Sequence, residues 1–174
     1  YADAYAKLND DADVSRAFSI IIQLSLAIMS LSVLLAYMAL EFAIPVLWFK
    51  NGQTIGKKIF GLAVMRTDSV RVKPIAMLIR TLLGKYTIET MAPLLIMFLI
   101  LFGSLGTVGL IMLAALALLQ IVLIAATRTN SAIHDILAQT VVVDMESQMI
   151  FDSAREREAR RREYAEADSA RWGQ

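Results

Sequence analysis

Cysteine is absent from the 174 residues, and histidine occurs once, at position 134. Disulfides, thiolate chemistry and Cys-ligated metal are therefore excluded, and a lone His without a carboxylate cluster at ligand spacing makes no metal site. No Ser-His-Asp set, paired catalytic carboxylates or dinucleotide fingerprint occurs, so the chain reads as not an enzyme and requires no cofactor. Residues 1–15 carry neither the basic start nor the apolar core of a signal peptide. Acids are scarce where bases gather: Lys50, Lys57, Lys58, Arg66, Arg71, Lys73, Arg80 and Lys85 are accompanied only by Asp68. Aromatics are few in that segment, which fits anionic lipid headgroups better than nucleic acid.

What the chain has in excess is hydrocarbon. Hydrophobic residues make up 57% of it, against about 45–50% in a soluble domain. Two uncharged tracts, residues 17–40 and 90–127, run for 24 and 38 residues, and about 20 suffice to cross a bilayer as helix. The first tract belongs to one long helix over about 16–49, with Pro45 placed to kink it. Trp48, Phe49 and Lys50 form an aromatic and basic boundary at its end. The second tract would be about 57 Å long as a single helix, so Gly103-Ser104-Leu105-Gly106 divides it into spans over about 87–102 and 107–127. Pro93 is expected to kink the shorter one.

The cationic stretch lies between these tracts, and the positive-inside rule puts it in the cytoplasm. The acidic residues 1–15, an exposed loop, are then outside. Within the cytoplasmic layer, 50–86 and 130–145, residues 61–67 read as a strand and 73–86 as a basic amphipathic helix on the membrane surface. Residues 151–174, Arg/Glu-rich with alternating signs, read as a solvated cytoplasmic helical tail. The fold class is an all-α integral membrane protein: three transmembrane helices here, amphipathic helices, and a possible short two-stranded β element.

A pattern occurs twice. NGQTIGKKIFGLAVMR, residues 51–66, and SAIHDILAQTVVVD, residues 131–144, each read as a hydroxyl cap, one or two helical turns with a charged pair, a small residue and a β-branched strand. Laid together, Thr54 falls on Ser131, Lys57 on His134, Lys58 on Asp135 and Gly61 on Ala138. Gly52, Thr54, Gly56 and Gly61 mark the first copy and Thr140 the second. The first copy is no phosphate loop: only three residues separate its glycines, and Lys58 stands where a hydroxyl is needed.

These two motifs, in order behind a hydrophobic helix, resemble the RDD family of polytopic membrane proteins, of a bacterial, Firmicutes-like kind. The resemblance covers residues from about 16 to 150 and implies a multi-pass protein of the bacterial cytoplasmic membrane. The family is named for an Arg and two Asp, and Asp135 matches the second Asp. The Arg and first Asp belong to a first helix. Arg16 with Gln23 has a tolerable spacing, but Gln would replace the Asp. The resemblance therefore implies that this helix precedes Tyr1, giving four spans in the full chain. It also implies transport of a small solute or cation, including cation/proton exchange, or partnership with other membrane proteins.

The candidate functional or ion-pairing residues are Glu41, Lys57, Lys58, Arg80, Glu89, His134 and Asp135. Glu41 and Glu89 are the only acids close to the apolar tracts, each within reach of Lys50 or Lys85. Interfacial pairing and an ion pathway both remain open for them. Asp135 is expected against Lys57, Lys58 or Arg80, as a structural ion pair in preference to a proton relay. His134 and Asp135, neighbours on a helix, should point about 100° apart and form no dyad. Lys57 and Lys58 snorkel or hold an anionic lipid headgroup. Gln23 and Gln120 suit interhelical hydrogen bonds, and Gly103, Gly106 and Gly109 form a small-residue packing surface. Two functions follow from the residues and the resemblance: a transporter, acting as a homo-oligomer or subunit because four helices enclose little, or a non-catalytic accessory subunit docking on another membrane protein.

Overall fold

The computed structural model describes residues 3, 7, 10–49 and 51–172. Among them, three helical runs are long and apolar enough to cross a membrane: Ala12–Leu47, Pro74–Leu101 and Gly106–Ala126. The chain forms two compact units, Tyr1–Ala36 and Tyr37–Gln174.

The first unit is helical. Its helix begins at Ala12, earlier than the acidic sequence led us to expect, because the Asp11 carboxylate accepts hydrogen bonds from the backbone N–H of Asp13 (2.9 Å) and Val14 (3.4 Å). That is an N-cap, and it satisfies two of the donors that a helix start leaves free. Residues 1, 2, 4–6, 8 and 9 of the expected loop, and Lys50 of the expected boundary, lie outside the described residues. No side chain of the helix is buried, and Phe18, Ile21, Leu24, Ile28 and Leu35 are exposed around it. A helix that is apolar on all sides suits hydrocarbon. Gln23 turns back to Ser19 on its own helix rather than bridging to another.

In the second unit, the expected surface helix over 73–86 and the expected span over 87–102 are one element, Pro74–Leu101. Its buried face is Met77, Arg80, Thr81 and Gly84, whereas Ile75 and Leu83 are exposed. The apolar stripe thus faces outward and the polar one inward, the reverse of a helix lying on a surface. Wide π-helical turns occupy Arg80–Met91, and a shorter π stretch, Met38–Ala43, lies in the first span. Each ends two residues before a proline, Pro45 or Pro93. Proline has no N–H for the carbonyl one turn back, so a slackened helix just upstream accommodates the lost bond. The hydroxyls of Thr87 and Thr90 bond to carbonyls five residues back, those of Leu82 and Lys85, each at 2.8 Å.

Gly103 and Gly106 have positive φ, 72° and 48°, and make the turn between the second and third spans. Of the expected small-residue surface, only Gly109 is buried, where a Cβ would run into Ile100. Gly103 and Gly106 are there for the turn, which residues with a Cβ rarely adopt.

The two motif copies form the expected helix-strand units. Ile55–Ile59 leads to strand β1, Leu62–Arg66, and Ile133–Ala138 leads to β2, Thr140–Asp144. The strands pair antiparallel with Val64 opposite Val142. Val64, Val72 and Met77 form the apolar core beneath them, with Phe42, Val46 and Val142 packed against it. Gly52 is buried there with φ +63°, and a Cβ on it would lie 3.0 Å from that of Val64. The copies are one residue out of step with the pairing read from sequence. The helix caps are Thr54 and Ala132, and the left-handed residues before the strands are Gly61 and Gln139. Lys57 therefore corresponds to Asp135. Thr54 caps as expected, accepting from Lys57 N, but Ser131 Oγ bonds Thr129 instead.

Candidate functional site

The charged residues of the spans, apart from Asp13 and Arg16 in the first helical turns, all sit in the π stretches: Glu41 in one, and Arg80, Lys85 and Glu89 in the other. The Ile133–Ala138 helix packs on the second stretch. This is possible because Gly84 has no Cβ, which would overlap Cα and Cβ of His134. The contact brings His134 and Asp135 down onto Arg80 and Glu89.

Arg80 is 2% exposed, and its Nη2 lies 2.8 Å from Asp135 Oδ1. Of the three partners the sequence allowed Asp135, this is the one realised. Thr140 Oγ1 donates to the same carboxylate oxygen at 3.0 Å. Arg80 Nε and Nη1 have no partner among the described residues. His134 Nδ1 lies 2.8 Å from Glu89 Oε1, and its backbone N–H donates to the same oxygen at 3.1 Å. Gln120 Nε2, from the third span, donates there as well at 3.2 Å. The expected interhelical role of Gln120 is thus real, and Glu89 is held by His134 and Gln120 rather than by a lysine.

His134 Nε2 is 3.3 Å from Asp135 Oδ2. The reading that neighbours on a helix cannot meet is corrected here. Their Cβ atoms diverge, but the imidazole is long enough to swing across, and Glu89 on its other nitrogen fixes the ring there. Glu41 pairs with Lys85, Nζ to Oε2 at 2.6 Å, and its backbone carbonyl accepts from Thr81 Oγ1. The Tyr37 and Thr90 hydroxyls, 2.9 Å apart, continue the polar layer.

Lys57 is half-buried and has no ion pair within 4.0 Å among the described residues. Burial pulls its amine from 10.5 to about 8, and the neighbouring Arg80 and Lys85 cations add to the effect. The unfolded chain keeps the ordinary value. Below about pH 8 the folded state therefore bears the whole cost of charging Lys57, and that cost fades as the pH rises towards 10.5. Lys57→Met should melt higher than wild type at pH 7, by an advantage that shrinks between pH 8 and 10.5. Melting curves of the two proteins across that range test it; a constant gap would rule out the charge as the cause.

Lys58 does not join the cluster; it is exposed, with Nζ 5.2 Å from the centre of the Phe49 ring. Gly56 is exposed, and a Cβ there would meet nothing, so the site makes no demand on it. The assembled group holds three acids, Glu41, Glu89 and Asp135, three basic side chains, Lys57, Arg80 and Lys85, and the imidazole of His134. No group of three or more His, Cys, Asp or Glu among the described residues could hold a metal ion. Beside the cluster, a cleft of about 320 Å³ runs between the second and third spans, with Glu89 and Gln120 on its lining.

The profile of the RDD family matches residues 13–139, from the first helix through the second motif. No curated protein and no solved structure matches the chain. The match covers well over half of the sequence, and with its three candidate spans and its paired motifs the chain belongs to the RDD family.

Proposed function

We propose that this chain is a transport protein, or the transporting subunit of an oligomer, that moves a small solute or cation in exchange for protons. One observation carries the reading: the imidazole of His134 lies between Glu89 at 2.8 Å and Asp135 at 3.3 Å. A neutral imidazole donates from one nitrogen only, so one of these contacts then sets a lone pair against a carboxylate. An added proton lets both nitrogens donate. With neutral His134 the three acids balance Lys57, Arg80 and Lys85, and protonation leaves one positive charge in excess. A proton and a cation drawn to the same carboxylates therefore compete. Ionisable groups at membrane depth are costly, which favours a role for them in moving charge. The cationic segment fits the cytoplasmic side, against anionic headgroups.

The test is proton-coupled Na⁺, K⁺ or Li⁺ flux in liposomes containing the purified protein. Wild type should exchange, and His134→Gln should lose at least about tenfold while still eluting as a folded protein. Asp135→Asn and Glu41→Gln provide further arms. A stable wild type that moves none of these ions under several pH gradients would sink the exchange reading.

The accessory reading draws on a different observation. The helix Ala154–Trp172 buries none of its residues. Behind it, Arg71–Asp152 at 2.8 Å and Arg157 Nη1 donating to the Asp68 carbonyl tie its start to the turn after β1. A charged helix held at its base suits docking on another membrane protein, and deleting residues 152–174 should then abolish co-purification.

A further inference from the structure

The cleft beside the charge cluster is walled by Ile88, Pro93, Leu113, Leu116, Ala117 and Ile133, and its only polar lining residues are Glu89 and Gln120. Its volume, about 320 Å³, lies at the lower end for small-molecule sites. The orientation of Gln120 is set by Glu89: the amide N–H must face the carboxylate, so Oε1 faces away as an acceptor. That oxygen has no partner among the described residues, and being fully buried it does not itself open onto the cleft. Glu89 is unevenly used as well. Oε1 accepts from Gln120 and from the His134 backbone, while Oε2 shares only the His134 ring N–H.

A carboxylate at the polar end of an apolar slot defines the ligand. A bare inorganic cation needs several more oxygens than this residue supplies. No aromatic ring lines the walls, so the cage that favours quaternary ammonium is missing. An anion would meet a carboxylate. We infer that the cleft binds a primary ammonium group carrying a short hydrocarbon chain, with the ammonium donating to the Glu89 carboxylate and the chain lying along the third span. The same chemistry comes from a free alkylamine or from an aminophospholipid headgroup. Ligand class and site stand on this geometry; only their use in transport rests on the function proposed above.

The experiment is equilibrium dialysis of hexylammonium, 1-hexanol and hexanoate against the full chain in phosphatidylcholine nanodiscs, with empty discs subtracted. Hexylammonium should bind at least about tenfold tighter than the other two, a difference of about 1.4 kcal/mol. Glu89→Gln should remove that preference while leaving weak hexanol uptake. Ala117→Phe, which fills the slot without touching the charges, should abolish uptake of both. A wild type that takes up hexanol as well as hexylammonium, or an Ala117→Phe protein that binds hexylammonium normally, would overturn the inference. Repeating the measurement in discs containing phosphatidylethanolamine separates the two sources. Displacement of hexylammonium there assigns the cleft to lipid, and unchanged binding assigns it to free amine. Binding is read without flux, so an absence of exchange in liposomes leaves the site standing, and exchange without amine binding removes the site alone.

Discussion

Asp135→Ala should cost the folded chain about 3–5 kcal/mol, because it leaves the Arg80 guanidinium buried without a counter-charge. The cost exceeds that of losing a single hydrogen bond. Arg80 already lacks partners for two of its nitrogens among the described residues, so Asp135 is its one direct ion pair there, with Glu41 and Glu89 acting from farther off. Removing both charges together should cost less: Arg80→Met with Asp135→Leu fills similar volume with hydrocarbon and leaves no buried guanidinium unpaired, the remaining cost being the carboxylate contacts of Thr140 and His134. Reversible unfolding in mixed micelles, compared across wild type, the single variant and the double variant, checks both halves of the statement. A single variant as stable as wild type would mean that the pair is solvated and not a structural element.

The second large effect is at Gly84. An added Cβ would collide with Cα and Cβ of His134, and backbone has to move to relieve it. Gly84→Ala should cost about 3 kcal/mol, the upper end for overpacking. It should also lift the Ile133–Ala138 helix off the second span and draw His134 away from Glu89. Gly56→Ala is the control, since its Cβ would meet nothing, and it should be neutral or slightly stabilising. Melting temperatures of the two variants, together with the His134 ring resonances by NMR, give the comparison. An undisturbed His134 in Gly84→Ala would show that the contact is not what seats the imidazole.

Much of this site was legible in the sequence, for reasons that can be named. Glu41, Arg80, Glu89, His134 and Asp135 stood out as charges beside hydrocarbon, and the structure gathers all five. Lys57 joins them and Lys58 does not, because successive residues on a helix face differently and only one can turn inward. The two strands were readable from their β-branched runs, but the phase of the repeat was not. Thr54 and Ser131 both look like caps, and only the backbone reveals that Ala132 occupies the second cap position. The continuity of Pro74–Leu101 was hidden by its charges. Arg80, Lys85 and Glu89 look interfacial when counted along the chain, and within one continuous apolar element they are accommodated through partners distant in sequence. Gln120 could be suspected of bridging helices, but nothing in the sequence paired it with Glu89.

The π stretches have a consequence for how the spans are phased. An α-helix turns each residue by a constant step, and a π-helix, bonding five residues back instead of four, turns by a smaller one. Over Arg80–Met91 that lag accumulates. The side chains after Ala92 therefore point in directions that a wheel drawn from Pro74 would assign to other residues. The Ile133–Ala138 helix packs on the π stretch itself, and the part of the span beyond Ala92 packs against the third span. The changed step within one continuous span lets each of these contacts keep its own register.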